Sequence, residues 1–200
     1  MEMRCNLERE LIDIKTNFAF AYNDLIKFKD TITECKFSKG GTVFFRGLFT
    51  PFLSFKYGLY NNSRGRMTNS ERNFTFKYCF NDNDLVYVIR NLDDIKTEEF
   101  IFKYENEEIG LTFDQREKQL TDITLCKYEN DQLISVCNAH IMKWMDSCSF
   151  SFTTEYYNYQ GNTLKSMEEV TGDTKYTTRY HSLYEFNGNE FKIIKQWITK

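Results

Sequence analysis

The chain is poor in proline, alanine and histidine. Of its 200 residues one is proline (Pro51), three are alanine (Ala19, Ala21, Ala139) and two are histidine (His140, His181). Glycine occurs nine times. Proline and glycine this scarce exclude collagen-like and low-complexity classes. No apolar run approaches the roughly 18 residues of a membrane-spanning helix, and the mean hydropathy is −0.57. The opening Met-Glu-Met-Arg-Cys-Asn-Leu-Glu-Arg-Glu lacks the basic-then-apolar layout of a secretory signal. A cytoplasmic location is therefore expected.

Motifs that carry chemistry are missing too. There is no GxxxxGK[ST], GxGxxG, GxSxG or HExxH, so neither a nucleotide cofactor nor a metallohydrolase centre is expected. Gly40-Gly41 is the sole Gly-Gly pair and reads as a hairpin turn. The six cysteines (Cys5, Cys35, Cys79, Cys126, Cys137, Cys148) contain no CxxC. They are expected to be reduced thiols packed as small apolar groups, with no structural metal. Acidic pairs occur at Asp93-Asp94, Glu98-Glu99, Glu107-Glu108 and Glu168-Glu169. They read as solvated carboxylates in or beside loops rather than as a general acid–base pair, and the chain is read as non-enzymatic.

Aromatic residues are plentiful, with 19 Phe and 13 Tyr, and they set the fold. Over residues 4–28, Leu7, Leu11, Ile14, Phe18, Tyr22 and Leu25 recur at helical spacing, which predicts one helix packed on the protein's own sheet. After Asp30 the period becomes 2. Phe74, Phe76, Tyr78 and Phe80 alternate with polar neighbours, as do Phe100, Phe102 and Tyr104, and Ile109, Leu111 and Phe113. The pattern continues through Ile123 and Leu125, Phe150 and Phe152, Tyr180 to Phe186, and Phe191 and Ile193. Asn, Asp and Gly clusters at 81–84, 105–107, 129–131, 160–162 and 187–189 separate these runs and suit tight hairpins. No helical stretch lies between strands, which excludes parallel βαβ units. The expected fold is mainly β within an α+β class, a single domain over 1–200. A helix occupies 1–30 and a meandering antiparallel sheet occupies 31–200, either open and curved or closed into a barrel.

Charge is segregated along the chain. The total is −3, yet residues 82–173 hold 19 acidic and 8 basic side chains, and both flanks are net basic. An acidic stretch of this kind steers cationic partners; the plain alternative is a solubilising rim of loop tips. Residues 35–70 hold no acid at all. There Lys36, Lys39, Arg46, Lys56, Arg64 and Arg66 lie among Phe37, Phe44, Phe45, Phe49, Phe52, Phe55 and Tyr57, a composition that can hold single-stranded nucleic acid; the competing reading is core strands with a solvated loop at 61–66, and nucleic acid is not the expected partner.

An N-terminal helix, a long aromatic meander, acidic hairpin tips and no catalytic motif together make the chain resemble the small immunity proteins of bacterial toxin–antitoxin secretion systems. The resemblance implies a stoichiometric inhibitor that covers the active site of a cationic toxin, often a basic nuclease. From the residues, the candidate partner-binding set is Asp82, Asp84, Tyr104, Glu105, Glu107, Glu108, Tyr128, Glu129 and Asp131. A β-barrel carrier of a small apolar ligand is the other class considered. The Gly-x-Trp signature of lipocalin-like carriers is absent, since the tryptophans are Trp144 and Trp197.

Overall fold

A computed structural model describes residues 2–18, 21–40, 65–92, 95–141, 150–187 and 190–200. The helical stripe expected over 4–28 is divided. Helix α1 spans Glu2–Phe18, a one-turn helix α2 spans Tyr22–Leu25, and a 3₁₀ helix runs over Ile26–Thr31. The division has a packing reason. The chain forms two compact units, and the boundary falls between Asn17 and Phe18. Leu11 is buried in the first unit, whereas Tyr22 and Leu25 are buried in the second.

The strands are β1 (Glu34–Lys39), β2 (Arg66–Thr68), β3 (Phe76–Asn81), β4 (Asp84–Leu92), β5 (Ile95–Lys103) and β6 (Glu107–Asp114). They continue as β7 (Leu120–Glu129), β8 (Gln132–Ile141), β9 (Phe150–Gln160), β10 (Thr163–Asp173), β11 (Arg179–Asn187) and β12 (Glu190–Thr199). From β3 to β12 every strand neighbours its successor, which is the expected meander. Only the start departs from sequence order, because β1 pairs with β3 and β2 lies outside β1. Among the described residues the sheet runs from β12 to β2 as an open sheet, without the closure a barrel requires.

The hairpins follow from their turn residues. Glu129 faces Gln132 across β7 and β8, and the two residues between them, Asn130 and Asp131, have φ of 49° and 62°. Two left-handed residues in sequence make the turn whose twist matches paired strands. Asn and Asp tolerate that conformation better than other side-chain-bearing residues. Gly161, with φ of 59°, does the same between β9 and β10.

The first unit comprises residues 1–17, 103–109 and 121–200. Its core includes Leu11, Ile123, Leu125, Val136, Phe150 and Met167. Helix α1 is fastened by Glu10, whose carboxylate accepts from Lys127 Nζ at 2.8 Å, and by Lys15, 5.0 Å from the Phe150 ring centre. Burial would lower the Lys127 pKa, but its bonds to Glu10 and Glu107 outweigh that and raise it. The second unit comprises residues 18–102 and 110–120. Its core is aromatic: Tyr22 meets Phe113 edge-on at 5.4 Å between ring centres, and Tyr87 lies 5.0 Å from Phe100.

Candidate functional site

Within the first unit the hairpin turns line one end of the strands. In an antiparallel meander every second turn falls on the same side, so the β5–β6, β7–β8 and β9–β10 turns are neighbours. Backbone and side-chain bonds tie them. Tyr104 N–H donates to Glu107 O at 2.8 Å, closing the first turn, and Tyr128 N–H donates to Asn106 O at 2.9 Å. Gln132 Nε2 then donates to Gly161 O at 2.8 Å and to Asn162 Oδ1 at 3.1 Å. The row is therefore braced by backbone and amide groups, and its carboxylates are not needed to hold it.

Glu105, Glu129 and Asp131 are exposed on this row and make no ion pair among the described residues. Tyr104 stands beside them, 55% exposed. The remaining members of the expected set sit differently. Glu107 is part-buried in strand β6 with its carboxylate 3.2 Å from Lys127 Nζ, and Tyr128 is half-buried on β7. Glu108 is not a tip residue, being 5% exposed within β6. Asp82 and Asp84 are exposed at the β3–β4 turn of the second unit, where Asp82 has φ of 53° and donates its N–H to Thr33 Oγ1.

The acidic pairs require a correction. They were expected in solvent, yet Glu98, Glu108 and Glu169 are all buried. Consecutive strand residues point to opposite faces, so a pair in mid-strand sends one carboxylate inward. Asp93-Asp94 lies outside the described residues.

Glu98 is the most heavily partnered of these. On β5 it accepts from Tyr22 Oη at 2.5 Å, Lys29 Nζ at 2.7 Å and Lys118 Nζ at 2.9 Å, and also from the Tyr87 hydroxyl. Burial alone would raise its pKa, but these donors prevail and hold the carboxyl at about 2. Burial and Glu98 together push the Tyr22 and Tyr87 hydroxyls up. Every acceptor direction of this carboxylate is in use, so the cluster fastens the 3₁₀ segment to β4 and β5 and has no capacity left for a ligand. A carboxylate in phase with Phe100 on β5 was the available sequence signal.

Glu155 and Glu169 face each other across β9 and β10, at 3% and 8% exposure. Tyr157 donates to Glu155, and Tyr184 Oη to Glu169 at 3.5 Å. Carboxylates opposed across two strands are one pattern of general acid–base sites, but both of these are buried.

The two histidines have settled partners. His181 is buried, with Glu168 Oε1 2.9 Å from Nδ1 and Thr199 Oγ1 2.8 Å from Nε2, and it stacks on Trp197. His140 is exposed and meets Asp122 at 2.8 Å. Asp122, His140 and Ser151 stand in one row across β7, β8 and β9. That is the residue set of a serine nucleophile, but it lies on an open strand surface. Strand N–H groups lie in the plane of the sheet and serve its ladders, so they do not converge on an oxyanion. The expectation of no metal-ligand spacing around the cysteines needs a correction, because Cys137-Asn138-Ala139-His140 is a Cys-x-x-His spacing. Residues three apart on a strand point to opposite faces, and here Cys137 is buried while His140 is exposed. Among the described residues no cluster suits a metal ion.

Most of the basic–aromatic segment 36–66 lies outside the described residues. Of its described members, Lys36 pairs with Glu34 at 3.0 Å and covers the Phe80 ring. No helix among the described residues is long and apolar enough to cross a membrane. No protein-family model, curated protein or solved structure matches the chain.

Proposed function

We propose that the chain is a non-enzymatic protein-binding module that takes a cationic protein on the tip row Tyr104, Glu105, Glu129 and Asp131. One observation carries the reading: three exposed carboxylates with no ion-pair partner among the described residues stand on turns braced by other groups, beside an exposed tyrosine. Such carboxylates raise association rates and set register, while a partly buried aromatic supplies affinity. An immunity-type inhibitor of a basic toxin is the form of this function that the sequence resemblance favours. The plain alternative is a solubility rim, for which isolated acidic tips are enough.

The two differ in kinetics. With a captured basic partner in hand, Glu129→Lys combined with Asp131→Lys should slow association and flatten its dependence on salt. An unchanged association rate and salt slope would assign the tips to solubility.

A further inference from the structure

Cys35 on β1 and Cys79 on β3 are directly opposed partners in an antiparallel ladder, although residues 36–78 separate them in sequence. Opposed residues have Cα atoms about 4.5 or 5.5 Å apart and Cβ atoms about 4.5–5.5 Å apart. A disulfide spans Cα distances of about 4.4–6.8 Å and Cβ distances of about 3.5–4.5 Å. The backbone is therefore already in range, and the side chains need only a small approach. Both residues are free thiols, Cys35 half-buried and Cys79 1% exposed.

We propose that Cys35 and Cys79 form a modification site, a thiol pair that hydroperoxides convert to a cross-strand disulfide. Cys35 is the less buried of the two residues and reacts first. Its thiolate attacks the peroxide, the O–O bond breaks, and Cys35 becomes a sulfenic acid with release of water or an alcohol. Cys79 then displaces the sulfenic oxygen. The S–S bond forms, the S–O bond breaks, and the oxygen leaves as water with the Cys79 proton. Two electrons pass from the sulfurs to the peroxide. Burial, and the hydrogen bond to Cys35, push the Cys79 thiol up, so it serves as the resolving partner rather than the first to react. The product is a reversible tie between β1 and β3 in the second unit, closing residues 36–78 into a loop. A purely packing role needs neither the register nor the less buried member.

The test is a count of alkylatable thiols on the folded full chain, before and after hydrogen peroxide, with labelling in denaturant. Untreated protein should take a label on each of its six cysteines. Treated protein should lose two labels, with a Cys35–Cys79 cross-linked peptide on mapping and full recovery in dithiothreitol. Cys35→Ser should abolish the loss. Cys79→Ala should leave a Cys35 sulfenic acid that dimedone traps. Retention of every label after peroxide, a link between other cysteines, or an undiminished loss in Cys35→Ser would overturn the proposal.

Discussion

Glu98 and Asp131 are both carboxylates, and the fold treats them in opposite ways. Glu98 lies under the 3₁₀ segment of the second unit with two lysines and two tyrosines on its oxygens. Asp131 stands at a hairpin tip of the first unit, exposed and without an ion-pair partner among the described residues. Acidity in sequence therefore says little by itself about role. A carboxylate whose hydrogen-bonding capacity is filled holds the fold, and one left in water on a braced turn is available to a partner.

Removing the charge at Glu98 is expected to have the largest effect. Glu98→Gln leaves Lys29 and Lys118 facing a neutral amide and should cost about 3–5 kcal/mol, the usual penalty for breaking a buried ion pair. Hydrogen exchange should show protection lost first in β4 and β5. Unchanged protection there would mean that the cluster is incidental to the fold.

Acid should test the Glu98 side of the comparison. Glu98 is held at about 2 against an ordinary 4.5. The unfolded chain therefore takes up this proton first as pH falls. The contribution of Glu98 is whole above about 4.5 and disappears between 4.5 and 2, on the order of 3 kcal/mol. Denaturation followed across that window should show the loss in the wild type and a flatter profile in Glu98→Gln.

A smaller effect is expected from Tyr87→Phe, which removes one donor and leaves three. It should cost about 2 kcal/mol, as expected for a hydrogen bond to a charged group. Urea titration would check this, and a cost near zero would show that Tyr22 and the two lysines satisfy Glu98 without Tyr87. Least of all, Glu105→Lys with Glu129→Lys, which leaves Asp131 in its left-handed turn position, should change stability by no more than about 0.5 kcal/mol. A larger loss would make the tips part of the fold and end the contrast with Glu98.

These contrasts also show what the sequence reveals. The Asn130-Asp131 turn and the aromatic alternation through Phe100 and Phe113 are local signals, and the strands and hairpins follow them. The helix was legible as a stripe but not as a divided one, because no local residue shows that Leu11 and Tyr22 pack in different units. The burial of Glu98 was partly legible, since it is in phase with Phe100, whereas its lysine partners come from remote segments. The facing of Cys35 and Cys79 was not legible at all, because it depends on β1 passing over β2 to pair with β3. The tip row was half legible. Turn chemistry located Glu129 and Asp131, but alternation within β6 turned Glu108 inward, and Lys127 engages the Glu107 carboxylate.

The central claim is that the carboxylates left in water form a binding surface. It is tested most directly by quantitative capture from the source cells, with the tagged wild-type chain beside a Glu105→Lys, Glu129→Lys, Asp131→Lys variant of matched stability. We expect the wild type to retain a basic protein that the variant retains at least tenfold less, about 1.4 kcal/mol of binding. Equal recovery of the same proteins by both chains would contradict it.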